Sequence, residues 1–93
     1  MNEKVFDSVW DALEDDPAKR EVFKLRSELI HIITRHIQDE NLKQRDVAKL
    51  LAISQPRVST LMKQEYGSFR LDTLVIFASK LGYQVKLNMS TAA

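Results

Sequence analysis

Residues 44–63 read Gln44-Arg45-Asp46-Val47-Ala48-Lys49-Leu50-Leu51-Ala52-Ile53-Ser54-Gln55-Pro56-Arg57-Val58-Ser59-Thr60-Leu61-Met62-Lys63. Two short apolar patterns follow one another in this stretch. Val47, Ala48, Leu50 and Leu51 recur at helical spacing, and so do Val58, Leu61 and Met62. Between them lies Ala52-Ile53-Ser54, where Ser54 is placed to cap a second helix opening at Gln55 and Pro56. Small Ala48 lets the two helices approach closely, and Val47, Leu51, Ile53, Val58 and Leu61 supply the apolar contacts that lock them at a steep angle. The position after Leu51, where a turn glycine is usual, holds Ala52.

The chain has only two glycines and two prolines, so each marks a boundary. Upstream, Asp16-Pro17 reads as an N-cap followed by proline at the first helical position. From there Val22, Leu25, Leu29, Ile30, Ile33 and Ile37 keep a helical period, with Asn41 where the helix should end. At ~1.5 Å per residue this element is roughly 35 Å long. Ahead of it, Val5, Phe6, Val9, Trp10 and Leu13 form one stripe and Asp7, Asp11 and Glu14 another, the pattern of a short acidic amphipathic helix. Downstream, residues 64–70 around Gly67 read as a loop, and Leu71 to Leu81 as a helix stopped by Gly82. Tyr83 to Met89 then alternates, Val85, Leu87 and Met89 against Gln84, Lys86 and Asn88, as a half-buried strand does. No second strand offers itself in the chain, so a symmetric copy is the expected pairing partner. The tail from Ser90 to Ala93 should fray.

Ninety-three residues suffice for one small domain, whose core alone leaves it marginal and which a dimer would stabilise. The absence of cysteine excludes a disulfide scaffold, a thiolate zinc site and a cysteine nucleophile. No apolar run approaches the ~18 residues of a membrane span. Met1-Asn2-Glu3-Lys4 is too polar for a signal peptide, so a soluble, cytoplasmic protein is expected. The net charge of +1 hides an asymmetry. Residues 1–18 carry Glu3, Asp7, Asp11, Glu14, Asp15 and Asp16 against Lys4 alone, while Lys43, Arg45, Lys49, Arg57, Lys63 and Arg70 outnumber Asp46 and Glu65 between residues 43 and 70. A basic domain that meets a polyanion, with an acidic arm at one end, fits this division.

The pair of short helices, Gln44 to Lys63, is the helix-turn-helix pattern, in which the second helix enters the DNA major groove. Any small helical bundle shares the periodicity, but three details favour DNA. Glutamine opens both helices, at Gln44 and Gln55; polar Gln55, Arg57, Ser59, Thr60 and Lys63 line the outer face of the second; Lys43, Arg45 and Arg70 flank it with phosphate-seeking charge.

Leu42 to Ser59, with the Gln55-Pro56-Arg57-Val58-Ser59 opening of the second helix, resembles the xenobiotic-response-element (XRE) family, the Cro/C1-type regulators. Phe69-Arg70-Leu71-Asp72-Thr73-Leu74, Leu81-Gly82-Tyr83-Gln84-Val85, Val5-Phe6-Asp7 and Leu25-Arg26-Ser27-Glu28-Leu29 resemble a narrower branch, antitoxins of the host-inhibition-of-growth type encoded beside a RelE-like ribonuclease toxin. The resemblance implies that Gln44 bonds a phosphate and braces Gln55. It implies too that Gln55 and Arg57 face base edges, Pro56 touches a thymine methyl, Thr60 lies deeper along the groove, and Ser59 and Lys63 sit nearer the backbone. Glutamine suits adenine N6 and N7, and arginine suits guanine O6 and N7.

Other signals point nowhere sharp. His31 and His36 are five apart and face different ways, and Glu14-Asp15-Asp16 is explained by helix capping. No Gly-x-Ser-x-Gly, P-loop or dinucleotide glycine pattern exists, so neither an enzyme nor a cofactor is expected. Phe6 and Trp10 can dock on the protein's own long helix or anchor a partner.

The expectation is an all-α, lambda-repressor-like helix-turn-helix domain of five helices with a short C-terminal β-strand. Residues 1–16 form the acidic arm, 17–82 the DNA-binding domain, and 83–93 the dimerisation strand, through Val85, Leu87 and Met89, and tail. The DNA-contacting set is Lys43, Gln44, Arg45, Ser54, Gln55, Pro56, Arg57, Ser59, Thr60, Lys63 and Arg70. The expected role is a homodimeric operator-binding repressor acting as antitoxin to a RelE-like toxin, the alternative being a stand-alone XRE-family regulator.

Overall fold

The computed structural model describes residues 16–91. Four α-helices form in order: α1 (Pro17–Asp39), α2 (Gln44–Leu51), α3 (Gln55–Met62) and α4 (Leu71–Lys80), with one 3-10 turn at Tyr66–Ser68 before α4. The long α1 packs chiefly on α4, and α2 packs on α3. Between the two pairs lies a single core. Ile30, Ile33 and Ile37 of α1 meet Val47, Ala48 and Leu51 of α2, Val58 and Leu61 of α3, Phe69, and Leu74, Phe77 and Ala78 of α4.

Local chemistry sets the helix starts. Asp16 caps α1, its carboxylate accepting from the Ala18 amide at 3.0 Å, with Pro17 in the first turn. Ser54 caps α3 in the same way, its hydroxyl accepting from the Arg57 amide at 3.2 Å. Three of the helix ends share one device. After α1, α2 and α4 the chain turns through a left-handed residue, Asn41, Ala52 or Gly82, with φ of 53°, 59° and 97°. In each, the amide beyond that residue reaches back to a carbonyl of the helix: Leu42 to Ile37, Ile53 to Ala48 and Tyr83 to Ala78, all at 3.0 Å. Gln64, after α3, is left-handed as well, with φ 56°. Ala52 thus adopts the glycine conformation that the tight turn demands, and the geometry survives the substitution.

Two expectations are corrected. Five helices and a strand were expected; the described residues hold four helices and no strand. The first of the five falls within residues 1–15, outside the described residues. Residues 83–91 carry no regular secondary structure, because a strand requires a neighbouring backbone and the described residues supply none. Nor is the segment half-buried: Leu87 and Met89 are 84% and 81% exposed. It is tethered at its start, where the Tyr83 hydroxyl and His36 Nδ1 of α1 lie 3.0 Å apart and the rings meet edge to face. The apolar stripe of α1 also divides: Ile30, Ile33 and Ile37 are buried, while Val22 and Leu25 stay substantially exposed, as does Ile32 outside the stripe. No helix among the described residues is long and apolar enough to cross a membrane.

The left-handed Ala52 generates a stability prediction. A Cβ in that region costs about 1–2 kcal/mol, and glycine's extra chain entropy costs about 0.5–1 kcal/mol. Ala52→Gly should therefore stabilise the domain by up to about 1 kcal/mol and raise Tm by several degrees. Thermal unfolding followed by circular dichroism measures this, and a lowered Tm would contradict the turn geometry.

Candidate nucleic-acid interface

The exposed face of α3 follows from its buried one. Val58 and Leu61 are fully buried, so at about 100° per residue the direction opposite them is occupied by Pro56, Ser59, Thr60 and Lys63, the last just past the helix. Gln55 is exposed at the first turn, where a groove-entering helix presents its N-terminal residues. Ser59 and Thr60 are half-buried, and the Thr60 hydroxyl donates back to the Pro56 carbonyl at 3.2 Å.

The neighbouring elements add cations and polar groups. Lys43, Gln44 and Arg45 lie exposed at the start of α2. Lys43 is the residue before the helix, its backbone extended and its side chain making no cap hydrogen bond. Gln44 and Gln55, expected to brace one another, are both exposed with no hydrogen bond between them in the free chain. Arg70 precedes α4 and is paired with Asp72 at 3.2 Å; both side chains are largely exposed, so this pair is weak and readily exchanged for a phosphate. Lys43, Arg45 and Lys63 form no ion pair among the described residues. Ser54 is exposed, with its hydroxyl engaged in capping α3.

Arg57 is exposed as well, but its side chain is engaged by the loop ahead of α4. It lies only about 70° from the buried direction of α3. Its guanidinium donates to the Ser68 carbonyl at 2.5 Å and stacks over the Phe69 ring, 4.1 Å from the centroid. Phe69 is itself buried, edge-on to Phe77 and with its carbonyl accepting from Arg26 of α1 at 3.2 Å. Sequence reasoning quoted Phe69 only within the family resemblance and gave it no role of its own. The available signal was a phenylalanine in an otherwise polar loop, three residues after Tyr66 and next to Ser68.

The remaining expected residues lie apart from this face. Phe6 and Trp10 fall outside the described residues. Val85, Leu87 and Met89 are exposed on the C-terminal segment. With Leu25, Leu29 and Ile32 of α1 and Val75 of α4, Val85 and Leu87 border an open apolar groove of about 410 Å³.

This geometry, an exposed helix with a polar outer face held by a second short helix and flanked by basic side chains, is that of a DNA-binding module. Among curated proteins, none matches the chain. A family described as helix-turn-helix domain matches residues 12–90, which take in all four helices and the turn between α2 and α3. The chain belongs to this helix-turn-helix domain family.

Proposed function

We propose that the protein is a sequence-specific transcriptional repressor of the XRE type that binds its operator as a homodimer and serves as the antitoxin of a type II toxin–antitoxin pair. The observation that carries the DNA-binding reading is the outer face of α3, polar and exposed on a rigid apolar base, with Lys43, Arg45, Lys63 and Arg70 around it. Gln55 reads a base edge, Pro56 touches a thymine methyl, and Thr60 lies further along the groove. Ser59, Lys63, Gln44 and the flanking cations hold the backbone.

Exposed apolar surface supports the homodimer. Among the described residues, Val85, Leu87 and Met89 and the groove beside α1 form an exposed apolar surface that a second copy could cover. A two-fold axis through this region would present two copies of α3 to successive major grooves, about 34 Å apart. The antitoxin role rests on the resemblance to that branch and on the acidic stripe of residues 1–16, with Phe6 and Trp10 suited to anchor a basic, RelE-like ribonuclease toxin. A stand-alone regulator would share the DNA face and lack the toxin.

Three outcomes test this reading. Lys63→Ala should weaken binding to all duplexes alike and reduce the slope of log K against log salt by about one; an unchanged slope would take Lys63 off the backbone. A chain ending at Gly82 should sediment as a monomer and lose tight operator binding, and an unchanged dimer would move the interface elsewhere. Deleting residues 2–14 should abolish toxin neutralisation while leaving operator binding within a few-fold. Its melting curve is measured first, since exposed apolar surface could unfold the domain. A stably folded deletion that neutralises at wild-type potency would remove the arm from the toxin interface.

A further inference from the structure

We infer that Arg57 is a positioning residue for operator recognition: it fixes Arg70 relative to α3 by clamping the loop between α3 and α4, and does not itself read a base. The inference rests on the operator-binding role proposed for α3 and reassigns one residue within it. Arg57 reaches across from α3 to two consecutive loop residues, donating to the Ser68 carbonyl and covering the Phe69 ring. Phe69 is the loop's anchor. Its ring is buried against Phe77 of α4, and Arg26 of α1 holds its carbonyl. The next residue is Arg70, the phosphate-seeking cation at the start of α4. The clamp therefore sets the spacing between the base-facing helix and one of its backbone contacts.

A guanidinium reads guanine with its planar edge and two N–H groups. Here the guanidinium carbon lies over the Phe69 ring, 4.1 Å from its centroid, and one terminal nitrogen is committed to a carbonyl. To reach a base, Arg57 would give up a charge-assisted hydrogen bond and a cation–π contact, and would uncover the Phe69 ring. Those losses are of the same order as a guanine pair, so the exchange brings little net affinity. Pro56 and Lys63 need no such rearrangement, because they are exposed and face outward.

The test selects preferred sequences from a randomised duplex library with the full-length wild type, Arg57→Ala, and Arg57→Met, which keeps an apolar chain over the ring should the alanine variant unfold. A positioning role predicts that all three enrich the same base pairs at every position, the variants binding the enriched duplex roughly tenfold more weakly. In the free protein, amide hydrogen exchange at Ser68, Phe69 and Arg70 should be on the order of tenfold faster in Arg57→Ala. Adding Arg70→Ala to Arg57→Ala should lower affinity much less than Arg70→Ala does alone, because the two act through one contact; a general loss of stability would leave the effects additive. Loss of preference at a single base pair, additive effects, or unchanged exchange at Ser68–Arg70 would each overturn the inference. A wild type that enriches no sequence would instead sink the operator reading itself.

Discussion

Burial of Val47, Leu51, Val58 and Leu61 in the one core that also holds Ile30, Ile33 and Ile37 of α1 is the constraint on which everything outward depends. Helices of eight residues such as α2 and α3 are unstable alone. They exist because their inner faces complete a core that α1 and α4 begin. Removing one buried leucine side chain from such a core costs about 2–5 kcal/mol, against a total domain stability of roughly 5–15 kcal/mol. Surface ion pairs such as Arg35–Asp39, each worth about 1 kcal/mol or less, cannot make up such a loss. The polar face of α3 is thus free to be chosen for binding, since apolar burial behind it fixes where it points.

Much of this was legible in the chain, and for local reasons. Asp16 and Ser54 cap α1 and α3 because a short oxygen-bearing side chain ahead of proline in a first turn has few other uses. Asn41 and Gly82 stop their helices in the left-handed conformation that those residue types favour. Ala52 and Gln64 adopt the same conformation without the residue type that announces it. There the tertiary contact between helices imposes a backbone state that local preference disfavours.

What was not legible depends on the third dimension. Alternation at Tyr83–Met89 marks a segment with two unlike faces, but pairing is a property of two backbones, and the described chain holds only one of them. The apolar surface of α1 is wider than the core it serves, which leaves Val22 exposed, and Leu25 and Ile32 exposed in the groove bordered by the C-terminal segment. For the candidate site, the polar residues of α3 and the cations expected to contact DNA lie at the surface or, for Ser59 and Thr60, are half-buried. The sequence could not show that Arg57 leans toward Phe69, because that contact spans a loop whose path only the folded chain defines.

The central claim is that the outer face of α3 and its basic surround form the DNA surface. Backbone amide chemical shifts, followed while the protein is titrated with a duplex enriched from random sequence, test it most directly. The account predicts that the largest changes map to residues 43–45, 54, 55, 57–60, 63 and 70, and that they diminish as salt is raised. Changes centred on the groove lined by Leu25, Ile32 and Val75, with α3 unmoved, would contradict it.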